Sequence, residues 1–161
     1  MTVRIECITV TLSAISGSIG FIALFIPCRW FAIAAVGMTV AYAVLGNILA
    51  LTRGVRVAEY IGISEKKVAL GNILGHIVYP LIILVILCMK QKKEYIPLSD
   101  YLKAIAFAFS IGIIYIILMT TKCGCTYGLT NKELVGYGVS WILIVAVISY
   151  IFMVIYSRKK R

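Results

Sequence analysis

The chain has few of the residues that do chemistry in an active site or inside a membrane. Among 161 residues there is one histidine, His76, and there are six acidic side chains. All six (Glu6, Glu59, Glu65, Glu94, Asp100 and Glu133) lie outside the long apolar runs. A conventional carboxylate proton relay through a bilayer is therefore excluded. One histidine cannot ligate a haem twice, and no glycine-rich phosphate loop, Ser/His/Asp arrangement or Cys-x-x-Cys pair occurs. Amides are as sparse: three asparagines and one glutamine stand against 27 isoleucines. Few labile amides among many Ile and Lys residues is the bias of hyperthermophile proteins, and it points to a thermophilic, archaeal source. There is no low-complexity tract or long linker, and 161 residues make one domain, 1–161.

What the chain has in abundance is apolar length. Hydrophobic residues make up 62% and the mean hydropathy is +1.04, above the range of soluble globular domains. Several runs approach or exceed the roughly 18 to 20 residues that cross a bilayer. The fold class that follows is all-α: a polytopic membrane helix bundle of about five transmembrane helices, with four as the lower count. The net charge of +10 would suggest nucleic acid in a soluble protein. Here the basic residues cluster at the ends of apolar runs, where they set topology and meet lipid headgroups. No basic amphipathic helix or aromatic–basic platform accompanies them, so the partner is the lipid bilayer and not nucleic acid.

The expected spans are residues 8–26, 31–51, 68–89, 101–119 and 135–156. Residues 8–51 are about twice one crossing at 1.5 Å per residue, and Pro27-Cys28-Arg29-Trp30 supplies the hairpin between the first two spans. The first span carries Ser13/Gly17 and Ser16/Gly20, two small-xxx-small pairs that suit the bundle interior. Arg53, Arg56, Glu59, Glu65, Lys66 and Lys67 mark a solvated loop at 52–67. Pro80 should kink the third span. Pro97-Leu98-Ser99-Asp100 reads as a turn and N-cap before the fourth. Counting Lys and Arg gives nine on the side of Arg29, the 90–103 loop and the tail, and seven on the other. The count favours a cell-membrane protein with its N-terminus outside and C-terminus cytoplasmic.

The most informative stretch is a repeat. Leu-Gly-Asn-Ile-Leu-Ala at 45–50 closes the second span, and Leu-Gly-Asn-Ile-Leu-Gly at 70–75 opens the third. On antiparallel spans both copies sit at one depth. Gly46, Gly71 and Gly75 are the expected helix-packing positions, with Gly46 and Gly71 at the closest approach. Asn47, Asn72 and His76 form the expected polar intramembrane site, because a buried amide or imidazole in lipid needs a partner. Asn72 and His76 share a helix face at i, i+4, and Tyr42 and Tyr79 lie deeper, within reach if they turn inward. The plain reading of the same residues is interhelical glue.

Five cysteines complete the inventory. Cys7, Cys123 and Cys125 fall near the outer face and permit an outer disulfide or a redox pair, and Cys28 and Cys88 fall near the inner one. Two close thiolates without further ligands make no metal site, and no cofactor is implied. The functional expectation is a small non-catalytic accessory or assembly subunit of a larger membrane complex, in contact with other membrane subunits or with itself. The alternatives are an oligomeric small-solute channel or transporter using Asn47, Asn72 and His76, and thiol–disulfide redox at Cys123/Cys125.

Overall fold

The computed structural model describes residues 8–91, 94–121 and 129–157, without the side chains of 8–14, 55–57, 60 and 61. The described residues form helices α1 (Ile8–Ala23), α2 (Arg29–Ile61), α3 (Glu65–Ile73), a π-helical turn (Leu74–Val78), α4 (Tyr79–Lys90), α5 (Leu98–Thr120) and α6 (Asn131–Tyr156). Among the described residues, four helical stretches are long and apolar enough to cross a membrane: Arg29–Gly54, Glu65–Lys90, Leu98–Thr120 and Asn131–Tyr156. The 16 described residues of α1 cover about 24 Å, against the roughly 30 Å of a hydrocarbon core. The helix nonetheless packs in the bundle, against α2, α4 and α5.

The bundle is built around α2. Its residues 32–39 are buried on every side, as expected of a helix that is apolar all round. Small residues make this possible. A Cβ on Gly37 would fall within 2.8 Å of the Val145 carbonyl on α6, and one on Gly20 of α1 would meet Thr39 and Ile83. Between α5 and α6 the same device is reciprocal, because Gly112 receives Ile142 and Gly138 receives Ile116.

Polar ties close both ends. At one end Arg29 pairs with Glu94 and donates to the Tyr95 carbonyl at 2.9 Å, while the Ile96 N–H reaches Ser157 Oγ at 3.2 Å. At the other, Arg53 on α2 pairs with Glu133 on α6. Glu133 also closes a capping box with Thr130: the Glu133 N–H donates to Thr130 Oγ1, and the Thr130 N–H donates to Glu133 Oε2 at 2.8 Å.

Three sequence expectations are corrected. The 52–67 loop is mostly helix: α2 continues to Ile61 and α3 starts at Glu65. The turn between them is three residues long because Gly62, at φ 73°, takes the left-handed cap conformation and returns its N–H to the Ala58 carbonyl. The fourth span starts at Leu98 rather than Tyr101, with Pro97 at the N-cap and no side-chain cap. Pro97 supplies a fixed φ and needs no N–H there. Gly71, expected at the closest approach, is exposed and a Cβ there would meet nothing within 4 Å. Its neighbour Asn72 takes the inward direction, which turns Gly71 about 100° away on a 3.6-residue helix.

Packing of this kind separates the glycines. Gly37→Leu should unfold the bundle or lower its stability by at least about 1–3 kcal/mol, whereas Gly71→Leu should stay within about 0.5 kcal/mol of the parent. Thermal unfolding followed by circular dichroism in mild detergent distinguishes the two, and equal losses would contradict this packing.

Candidate functional site

The repeated hexapeptides meet through their asparagines. Asn72 Nδ2 donates to Asn47 Oδ1 at 3.1 Å, so the two amides lie at one depth. Asn47 Nδ2 donates in turn to the Ala43 carbonyl at 2.7 Å and to the backbone carbonyl of His76 at 3.0 Å. The His76 ring lies directly on Gly46, where any Cβ would overlap the imidazole. Tyr42 covers the ring from the next turn of α2, its centroid 4.6 Å away at a 39° tilt. Gly75 leaves room for the Tyr42 hydroxyl, which would sit 3.6 Å from a Cβ at that position. Tyr79 points elsewhere and donates to the Gly17 carbonyl of α1.

Why the His76 carbonyl should need a side-chain donor follows from the sequence. In a regular α-helix it would accept from the N–H of residue 80. Residue 80 is proline, which has no N–H and whose ring presses on that same carbonyl. Here the helix widens into the π turn Leu74–Val78, in which the Tyr79 N–H reaches back to the Leu74 carbonyl. Asn47 then satisfies the carbonyl that Pro80 cannot. Two atoms of the cluster, Asn72 Oδ1 and His76 Nδ1, are buried without a partner among the described residues.

Behind the seam is a partly open cavity of about 90 Å³, lined by α2, the π turn, α5 and α6, with Ser16 of α1 and Leu129 at its edges. Tyr42, His76, Tyr115, Tyr137 and Trp141 form much of its wall. The Tyr137 hydroxyl makes a long 3.5 Å bond to the Leu45 carbonyl. Tyr115, Tyr137 and Trp141 were not among the residues singled out from the sequence. A signal was present: Gly112/Tyr115 and Gly138/Trp141 each place a small residue three before an aromatic one, on one helix face. The Arg53–Glu133 tie was likewise readable in part, because Thr130-x-x-Glu133 is a capping-box pattern.

The cysteines divide differently. Cys7, Cys123 and Cys125 lie outside the described residues. Cys28 and Cys88 are both free thiols, so the inner bridge is not formed. Cys28 caps the start of α2, while Cys88 lies against the Tyr156 hydroxyl. Among the described residues no group of three or more His, Cys, Asp or Glu side chains comes together.

Taken chemically, the seam is a chain of amides and carbonyls beside one imidazole, His76. Asn47→Ala strips the His76 carbonyl and Asn72 of their donor and acceptor, and should cost about 1–3 kcal/mol. Asn72→Ala removes one interhelical bond, worth about 0.6 kcal/mol on average in membranes. Pro80→Ala restores an N–H to the helix and should offset part of the Asn47→Ala loss. A double-mutant cycle read by reversible unfolding in detergent should give a coupling of at least about 0.5 kcal/mol; strict additivity would break the proposed link.

No family model, curated protein or solved structure matches the chain.

Proposed function

We propose that the chain is a non-catalytic accessory or assembly subunit of a larger membrane complex, and that its helical hairpin is the docking element. The observation that carries this reading is the length of α2. Its 33 residues extend about 50 Å, some 20 Å more than the hydrocarbon core. The excess, past the Arg53–Glu133 pair, runs on beside the start of α3 at the end away from Arg29. Between these two arms is an open groove of about 770 Å³, bordered by Thr52, Arg53, Glu65, Lys66 and Asn72. Leu51, 87% exposed at the level where the apolar span ends, adds an apolar contact beside the charged rim.

A channel through the monomer fits less well. Below the seam, residues 32–36 and 38 of α2 are apolar and at most 4% exposed, which interrupts any polar line. The basic-residue count favours a cytoplasmic C-terminus, and on that orientation the hairpin faces outward. The thermophilic, archaeal source belongs to the same proposal through the Ile-rich, amide-poor composition.

A photoreactive residue at Lys66, on the hairpin, should give a discrete protein adduct in native membranes, while one at Ile113, on the exposed face of α5, should give lipid adducts. A monomer purified in mild detergent with no adduct at Lys66 would overturn the assembly reading. A midpoint of thermal unfolding above about 90 °C is the outcome expected of a hyperthermophile source; one near 50 °C would remove it.

A further inference from the structure

The cavity behind the seam is unusual for what surrounds it. The glycines on its own wall are each overlain by a neighbouring side chain: Gly46 by the His76 ring, Gly112 by Ile142, Gly138 by Ile116. A hollow that persists among such close approaches forfeits packing contacts that the rest of the molecule takes up. Its wall carries no Asp, Glu, Lys or Arg side chain, and the nearby Arg53–Glu133 pair is closed on itself. An inorganic anion or a metal ion would find no counter-charge there.

The wall also carries hydroxyls with nothing to bond. Tyr42 and Tyr115 both line the hollow. Neither donates a hydrogen bond to another described residue, whereas the Tyr137 hydroxyl is engaged by the Leu45 carbonyl and the Thr52 side chain. A fully methylated ammonium ion would suit the aromatic faces but leave those hydroxyls unanswered. A neutral molecule with its own donor and acceptor answers them. Size narrows the class further. An apolar cavity of about 150 Å³ takes a six-atom ring; by the same packing, about 90 Å³ takes roughly four non-hydrogen atoms.

We propose that this cavity binds a small neutral molecule of about four non-hydrogen atoms, an amide or a short alcohol, held between the rings of Tyr42, Tyr115, Tyr137 and Trp141 and hydrogen-bonded by the hydroxyls of Tyr42 and Tyr115. The site is independent of the docking role of the hairpin, so either can stand without the other.

Trp141 makes the test direct. The chain has two tryptophans, and Trp30→Phe leaves Trp141 as the only one. The full chain carrying that change, in lipid nanodiscs, is titrated with acrylamide, a neutral amide that quenches indole. Saturable static quenching is expected, with the half-saturation concentration raised at least fivefold by excess acetamide and unmoved by tetramethylammonium or chloride. Tyr115→Phe keeps the ring and deletes one hydroxyl, and should weaken binding about threefold to tenfold. Leu49→Phe fills the hollow and should abolish the saturable part; if that variant fails to fold, Tyr115→Phe still decides the matter. Linear, unsaturable quenching would overturn the site. So would displacement by tetramethylammonium as effective as that by acetamide, saturable quenching that survives in folded Leu49→Phe, or an unchanged affinity in Tyr115→Phe.

Discussion

One missing backbone N–H organises the polar part of this molecule. Pro80 cannot donate to the carbonyl of His76, and in hydrocarbon an unanswered carbonyl costs several kcal/mol. The chain answers with Asn47, whose amide crosses from α2 to that carbonyl. The other features of the seam follow from this bond. Its donor must lie close, so Gly46 has no side chain and the imidazole settles on it. Asn47 spends its donors on two carbonyls, and its oxygen is left to accept from Asn72. The π turn is the backbone's share of the same accommodation.

Seen this way, the near-identity of the two hexapeptides does not make them equivalent. In the first copy Gly46 and Asn47 both face α3 and the π turn. In the second, only Asn72 faces back, and Gly71 looks outward. Four-residue spacing then brings Gly75 to the Tyr42 hydroxyl, which places it at the contact that Gly71 lacks. A glycine at a symmetric position in sequence is thus a packing residue in one helix and a bystander in the other.

Much of the architecture was legible before any coordinates. Apolar run lengths define the four long helices, Pro27 and Arg29 mark the first hairpin, and the charge clusters mark which ends lie together. The common depth of Asn47 and Asn72 follows from a repeat placed on antiparallel spans. What was not legible has physical reasons. Hydropathy reports where lipid ends and not where a helix ends, so the charged extension of α2 reads as a loop until Gly62 is recognised as its cap. The cavity wall is spread over α2, α5 and α6, and single-sequence periodicity does not say how those three faces are rotated toward one another. Tyr115, Tyr137 and Trp141 look like ordinary span aromatics until that rotation is known. The role of the Asn47 amide needs the helix partner as well, because Pro80 names the carbonyl that loses its donor without naming the group that replaces it.

The two ends of α2 carry a mechanical consequence. This single helix is pinned near its start by Arg29 to Glu94 and, beyond its midpoint, by Arg53 to Glu133. Between the pins, Gly37 is seated against α6 and Gly46 against the imidazole. Turning the rod about its own axis would tear all four attachments at once, whereas bending the rod that faces it would not. The compliant point is the π turn, where the hydrogen-bond ladder has already changed register and Pro80 has removed a rung. What holds that turn in place is therefore α2 itself, through the Asn47 amide on the His76 carbonyl and the imidazole on Gly46.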